Sequence, residues 1–238
     1  MSSILADKAH RQRLVLLIWI AIISVILWQT RIGSLLLYPF TILATWFHEM
    51  GHGLAALLTG ASFERLLIFP DGSGIAQSMV PSNASGLTHA LIAASGPLGP
   101  AIAGSLLIIA SRTDKATRVA LAVVGLALIV STIIWVSTLT GWVVLPALGL
   151  AILVLAWRGT ADHRQFGIQL LGVQACISVW EQFSYLFSAG GSIGGELHRS
   201  DTSAIADALL FPYWFWGAAI SAVIVLLLWW SFAAAFRR

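Results

Sequence analysis

Residues 41–58 read TILATWFHEMGHGLAALL, and apolar side chains occur on every side of this stretch when it is drawn as a helix. A helix that is apolar all round is buried in protein or in lipid, whereas a surface helix keeps its apolar residues in one stripe. With its apolar flanks the stretch extends from 34 to 59, and about 20 residues suffice to cross the hydrocarbon core. It therefore predicts a membrane-spanning helix, in which His48, Glu49 and His52 form a cluster of ionisable groups.

The composition extends this prediction to the whole chain. The 238 residues are 58% hydrophobic and only 10% charged, whereas about 25% of the residues in a soluble domain are charged. We therefore predict an all-α polytopic membrane protein with six or seven transmembrane helices, the count depending on whether the short fifth segment is a separate span. The predicted spans are 14–30, 34–59, 88–110, 119–138, 142–157, 166–187 and 212–236.

The charge pattern identifies the lipid bilayer as a partner and excludes nucleic acid. The net charge of +3 is small and scattered, and basic residues flank the first and last apolar runs as they do beside lipid headgroups. Orientation stays open at this stage. With the amino terminus inside, the loop with Arg112, Lys115 and Arg118 would lie outside, against the tendency of basic loops to stay in the cytoplasm.

The organisation expected is one membrane domain over residues 1–238. Its parts are a retained anchor and the motif-bearing span (14–59), a hairpin loop (60–87), spans with a Gly-Pro break (88–187), a Gly-rich loop with Ser-Asp (188–211) and a last span (212–236). The hairpin is expected to turn at Asp71-Gly72-Ser73-Gly74, because such residues favour tight turns. A short helix is expected near 203–210.

The chemistry is concentrated at His48-Glu49-Met50-Gly51-His52. His48 and His52 are four residues apart, so both imidazoles lie on one face of a helix and can reach one metal ion. In zinc peptidases this spacing supplies two ligands and a carboxylate that takes a proton from the metal-bound water. The pattern therefore predicts Zn²⁺ as cofactor, with Glu49 as general base and later as general acid.

A different interpretation is that these polar residues line a water-filled cavity or form hydrogen bonds between helices. A charged group near the bilayer centre costs about 2.5–3.5 kcal/mol on the lenient insertion scale. A cluster of two histidines and a glutamate therefore needs a compensating partner, which a divalent cation supplies. This favours the metal site.

At this point the sequence resembles the site-2 protease family, zinc metallopeptidases that cut substrates within the membrane. The resemblance rests on the motif at 48–52, the hairpin-like segment after it and Gly96-Pro97 in the next span. It is closest to a compact bacterial branch with an Asp-Gly-Ser-Gly segment and a Ser-Asp motif, which residues 71–74 and 200–201 match. The resemblance implies an integral protein of a bacterial plasma membrane and a membrane-embedded protein substrate.

Two departures limit what the resemblance implies. Better-known members carry the third metal ligand in a Leu-Asp-Gly motif on a later span, and no such motif follows the third span here. They also carry an asparagine shortly after Gly-Pro that holds substrate, whereas Gly99-Pro100 occupies that region. The substrate-binding residues and the substrate itself therefore stay unknown.

A catalytic zinc usually has three protein ligands, so one ligand must come from elsewhere in the chain. The Ser-Asp resemblance makes Asp201 the first candidate, although aspartate at that position also suits a helix N-cap. Asp71 is the second candidate ligand, although an aspartate in an Asp-Gly turn usually serves the turn itself. His198 is a candidate ligand or supporting residue, and Glu181 is a candidate because an intramembrane carboxylate is often functional.

The leading functional hypothesis is an intramembrane metallopeptidase acting on membrane-tethered proteins. A second hypothesis is a non-proteolytic protein that binds or transports a metal ion, with Glu49 as a ligand and Glu181 on the ion path. A third is an inactive relative that regulates other membrane proteins. The intact glutamate between the two histidines favours the peptidase, because a pure metal site has no need of it.

Overall fold

The computed structural model describes the backbone of residues 2–181 and 183–236, and the side chains of 14–179 and 183–235. Within these residues the chain is mostly helical and also forms two small antiparallel strand pairs. The elements in chain order are α1 (Ser2–Trp28), α2 (Arg31–Leu58), β1 (Ser62–Ile68), β2 (Gly74–Met79), α3 (Gly86–Ala110), α4 (Asp114–Trp135), α5 (Leu139–Arg158), α6 (Ala161–Glu181), α7 (Phe183–Leu186), β3 (Gly190–Ile193), β4 (Glu196–Arg199), α8 (Asp201–Ala208) and α9 (Tyr213–Phe236).

Four of the described helices are long and apolar enough to cross a membrane, namely α3, α4, α5 and α9. Residues 14–28 of α1 and helix α2 pass the same test only when they are taken together, and the two helices meet at a bend of 117°. Counting this bent pair as one span gives a fifth candidate. The predicted count of six or seven spans is therefore not confirmed. The predicted span at 166–187 corresponds to α6 and α7, and it is not among the candidates because α6 carries several polar residues, including buried Gln169 and Gln174.

Helices α2 and α3 lie in backbone contact where the metal motif is located. A methyl group added at Gly51 would lie 2.2 Å from the Ser95 carbonyl oxygen, and one at Gly99 would lie 2.3 Å from that of Phe47. Glycine therefore allows the two helices to approach more closely than larger residues would.

The Gly-Pro segment of α3 was expected to interrupt the helix, yet α3 is helical from Gly86 to Ala110 with Pro97 and Pro100 inside it. Membrane helices tolerate proline because neighbouring groups satisfy the freed carbonyls. The fourth and fifth segments likewise form two separate helices, α4 and α5, joined by residues 136–138.

The hairpin predicted at 60–87 is present as β1 and β2. The strands pair from Ser62 opposite Met79 to Ile68 opposite Gly74, and Gly72 in the turn has a φ of 88°, which favours glycine. The outer edge of β1 is covered by the α4–α5 connection, since Ser137 N–H donates to the Leu66 carbonyl. The outer edge of β2 faces α2.

The segment 188–211, expected to be a Gly-rich loop with a short helix, contains more structure than predicted. Strands β3 and β4 form a second hairpin, and α8 follows from Asp201 to Ala208. The two hairpins touch at their turns, where Gly194 N–H donates to Ser73 Oγ at 3.1 Å. The chain folds back at Gly194 and Gly195, whose positive φ values of 59° and 87° suit a tight two-residue turn.

Candidate metal centre

The two histidines of the motif project from one face of α2 and converge. Their Nε2 atoms lie 3.1 Å apart, and the ring centroids are separated by 4.9 Å in an edge-to-face arrangement. His48 is buried, with 8% of its surface exposed. The four-residue spacing on a helix produces this convergence directly.

Asp201 joins the two imidazoles from the other end of the chain. Its Oδ2 lies 3.1 Å from His48 Nε2, and its Oδ1 lies 3.2 Å from His52 Nε2. Among the described residues, these three form the group of ligand-type side chains with metal-binding spacing, all ligand atoms lying within 4.8 Å of one another.

A set of buried hydroxyl groups holds Asp201 at this place. Ser200 is the N-cap of α8 and accepts from Ser203 N–H, so the cap role considered for Asp201 belongs to its neighbour. Thr202 Oγ1 donates to the Leu186 carbonyl at 3.0 Å, and Ser203 Oγ donates to the Ala189 carbonyl at 3.0 Å. The first turn of α8 is therefore fastened to residues 186–189, with Asp201 facing the histidines.

His52 is oriented by a backbone group of α3. Its Nδ1 lies 2.8 Å from the Ile92 carbonyl oxygen. A carbonyl can only accept, so Nδ1 carries the proton and the lone pair of Nε2 faces the group formed with His48 and Asp201. Metal-binding histidines are commonly fixed in this way.

Gly96 makes room for the two imidazoles. A methyl group at this position would lie 2.1 Å from His52 Nε2 and 2.7 Å from His48 Nε2. Any side chain on residue 96 would therefore fill the space between the three ligand atoms and α3. In the structure, the Gly-Pro segment therefore leaves room for the imidazoles of His48 and His52.

Glu49 lies beside the three residues and is held by the first hairpin. Its Oε2 accepts a hydrogen bond from the backbone N–H of Ala76 in β2 at 2.7 Å, and 7% of its surface is exposed. A methyl group at Gly74 would lie 2.9 Å from Glu49 Cγ, so glycine allows β2 to approach the carboxylate. The hairpin thereby fixes the direction of the carboxylate.

The residues present fit a divalent metal ion. Ligands about 2.05 Å from a tetrahedral zinc lie about 3.3 Å from one another, and the three ligand contacts are 3.1, 3.1 and 3.2 Å long. Asp201 Oδ2 is buried and lies 3.1 Å from His48 Nε2. A bound cation would compensate for the cost of burying the carboxylate beside two imidazoles.

A cavity of about 820 Å³ reaches these groups. It is lined by the motif residues of α2, the inner face of β2, the start of α3 and the second hairpin with α8. Tyr185, whose hydroxyl donates to the Arg199 carbonyl at 3.2 Å, also lines it.

Asp71 and His198, the other candidates with described side chains, do not belong to this group of ligand atoms. Asp71 accepts hydrogen bonds from the N–H and Oγ of Ser73, which lower the pKa of its carboxyl group, so its contacts are those of a turn residue. His198 lines the cavity, with its Nε2 4.0 Å from Glu196. Glu181 is the last residue of α6, and its side chain lies outside the described residues.

Three contributors to the site were not predicted from the sequence: the Ala76 N–H, the Ile92 carbonyl and the hydroxyls around Asp201. The first two are backbone groups, which every residue type offers, so no sequence signal marked them. The run Ser200-Asp201-Thr202-Ser203 did carry a signal, since clustered hydroxyls next to aspartate are typical of a helix start.

Fold and site together define a helical membrane protein with a buried His-Glu-His motif and a third metal-ligand candidate. Residues 15–231 match the family described as Peptidase M50B-like, and the chain belongs to that family. The match supports the resemblance to site-2 proteases and points to a metallopeptidase in general. No curated protein and no solved structure matches the chain.

Proposed function

We propose that this chain is a zinc-dependent endopeptidase that hydrolyses peptide bonds of membrane-tethered proteins within the membrane. The observation that carries the proposal is the hydrogen bond that holds Glu49 to Ala76 beside the group of His48, His52 and Asp201. A site that only bound a metal ion would need the three ligands but not a separately oriented carboxylate.

His48, His52 and Asp201 are the proposed ligands that would hold zinc, and a catalytic zinc with three protein ligands would keep one position for water or substrate. Zinc at this place would supply Lewis acidity, which lowers the pKa of a water molecule and polarises a carbonyl group. Glu49 takes the proton of the attacking water and returns it to the leaving amine. Burial of the carboxylate keeps bulk water from competing for that proton.

The proposed substrate is a membrane-tethered protein in an extended conformation. A helix hides its peptide bonds in intrahelical hydrogen bonds, so a transmembrane substrate has to unwind before a carbonyl can reach the site. Residues 74–76 and 78 of β2 line the cavity, where an extended segment would lie beside the strand. A bacterial plasma membrane is the proposed location, with the whole chain acting as one membrane domain.

Comparison of membranes from cells that produce the wild type or Glu49→Gln tests the proposal. We expect shortened forms of single-span proteins in wild-type membranes, identified by mass spectrometry of protein termini, and the intact forms in the variant. Glutamine keeps the size of the side chain but cannot take up a proton. Identical termini in the two membranes, with both proteins produced at equal levels, would refute Glu49 as the base.

A further inference from the structure

The cavity that reaches the metal centre continues along α2 beyond the motif. It is lined there by Phe40, Thr41 and Ala44, which precede the first histidine of the motif by about one to two helical turns. Helix α6 lines the cavity with Gln174 and Ser178, and their four-residue spacing places both on one face of that helix. A face of α6 with two polar side chains therefore shares the cavity with the proposed ligands.

Contacts between α3 and α6 show how far Gln174 lies from the metal centre along α3. Gly96 of α3 lies against the two histidines, whereas a methyl group at Gly104 would lie 2.7 Å from Cys176 Sγ and 2.9 Å from the Gly172 carbonyl oxygen of α6. Gln174 stands between these two residues of α6 and is therefore at the level of Gly104. Eight residues of helix rise about 12 Å, which an extended chain covers in about four residues.

The amide of Gln174 keeps hydrogen-bonding capacity that its described contacts do not use. Its side chain is buried, with 3% of the surface exposed. Its Oε1 accepts from Trp28 Nε1 at 3.3 Å, and its Nε2 donates to Ser24 Oγ at 2.9 Å, both on α1. An amide has two N–H groups and an oxygen with two lone pairs. Among the described contacts, one N–H and one lone pair therefore stay available to a molecule in the cavity.

The backbone of an extended polypeptide matches this capacity. A segment that unwinds inside the membrane loses its intrahelical hydrogen bonds, and lipid offers no replacement for them. A side-chain amide donates and accepts as a peptide group does, so it can bind one peptide unit of such a segment. Residues 74–76 of β2 line the same cavity. One edge of the segment would thus face the strand, and the other edge requires donors and acceptors from elsewhere.

We propose that Gln174 binds the backbone of the substrate about four residues from the peptide bond that is cleaved. The proposal rests on the proposed function and adds a substrate-binding residue to it. Because the amide binds the backbone, it contributes affinity without selecting a particular side chain. An interaction that is equally strong in the bound substrate and in the transition state lowers KM and leaves kcat unchanged.

Gln174→Met tests this role, because methionine keeps the length of the side chain and lacks the amide. The variant and the wild type are compared in vesicles that contain a fluorescently tagged single-span helix as substrate. We expect KM to rise about tenfold, the factor that one buried hydrogen bond contributes, while kcat and zinc content stay at the wild-type level. Gln174→Leu replaces this variant if it fails to accumulate. An unchanged KM would overturn the proposal.

Ser24→Ala is the matched control, because it removes one contact between Gln174 and α1 and leaves the amide in place. We expect its KM to stay at the wild-type level. If KM rises equally in Ser24→Ala and Gln174→Met, the amide acts only by holding α1 against α6, and the proposed role in substrate binding is wrong.

Binding to the Glu49→Gln protein separates this proposal from the proposed function, because it requires no cleavage. Energy transfer between dyes on the protein and on the single-span helix measures the affinity. We expect Gln174→Met to weaken binding about tenfold in this background. Cleavage by the wild type together with binding that is independent of Gln174 would refute the present proposal alone. Binding that depends on Gln174 in a wild type that does not cleave would refute the proposed function alone.

Discussion

Glu49 Oε2 accepts a hydrogen bond from Ala76 N–H, so the carboxylate beside the histidines is directed by a strand 27 residues further along the chain. The motif on α2 supplies the two imidazoles and the Glu49 carboxylate, and the hairpin fixes the direction of that carboxylate. A hydrogen bond to a charged group contributes about 1.5–3 kcal/mol. The hairpin is thus part of the site and not only a connection between spans.

Ala76→Pro removes this donor without changing the motif. Proline lacks the N–H, and an outer-edge position of a strand tolerates it. We expect cleavage to fall about ten- to a hundredfold, because about 1.4 kcal/mol corresponds to a factor of ten, while metal content stays at the wild-type level. The measurement is the initial cleavage rate together with the metal content of the purified variant.

Ser78→Pro is the matched control for this prediction. Ser78 is two residues along the same strand, so its N–H lies on the same edge, and Glu49 accepts from Ala76 instead. If both proline variants lose activity equally, the loss comes from the hairpin as a whole and the specific role of the Ala76 donor is wrong.

The third ligand can be tested by metal content alone. Asp201→Ala should lower the zinc content of the purified protein strongly, because it removes the carboxylate that lies 3.1 and 3.2 Å from the histidine nitrogens. Asp71→Ala should retain zinc, since Asp71 bonds within its own turn. Inductively coupled plasma mass spectrometry gives the ratio of zinc to protein. Full zinc in Asp201→Ala with loss in Asp71→Ala would reverse the assignment.

Gly96→Ala tests the clearance around the histidines. The added methyl group would lie 2.1 Å from His52 Nε2, so the imidazole has to move and zinc binding should weaken. Gly104→Ala on the same helix is the control, because its methyl group would lie 2.7 Å from Cys176 Sγ, outside the metal-binding group. Competition with a zinc chelator measures both affinities. Equal affinities would contradict the proposed role of Gly96.

The hydroxyl groups around Asp201 should raise metal affinity because they hold its carboxylate beside the two histidines. Thr202→Val keeps the shape of the side chain but leaves the buried Leu186 carbonyl without its donor, which costs about 1–3 kcal/mol. We expect weaker zinc binding that excess zinc restores, together with a lower temperature of unfolding. Ser221→Ala removes a hydroxyl that bonds only within α9, to the Gly217 carbonyl, and should leave zinc affinity unchanged. Unchanged affinity in Thr202→Val would show that α8 is held by its other contacts.

The sequence predicted the membrane class and the metal motif because both depend on local patterns. Apolar runs decide the helices, and the spacing of His48 and His52 decides their common face. The hairpin at 60–87 was also predicted, since Asp71-Gly72 and its flanking apolar residues form a local turn signal. These features require no knowledge of distant contacts.

The number of spans and the surroundings of the site depend on tertiary contacts and could not be obtained in the same way. The bend of 117° between α1 and α2 does not follow from hydropathy. Pro97 lies inside the continuous helix α3 although proline has no backbone N–H to donate. Asp201 lies beside two histidines that are 153 and 149 residues earlier in the chain, and only a resemblance suggested this proximity. The Ala76 and Ile92 backbone groups carry no side-chain signal at all.

Metal-dependent cleavage by the purified protein tests the central claim most directly. The wild type and Glu49→Gln are reconstituted in vesicles with a fluorescently tagged single-span helix, treated with chelator and then supplied with zinc. We expect wild-type cleavage to stop on chelation and to return with zinc, whereas Glu49→Gln should bind zinc without cleaving. Cleavage that persists in Glu49→Gln, or that is unaffected by chelation when zinc is shown to be removed, would contradict the central claim.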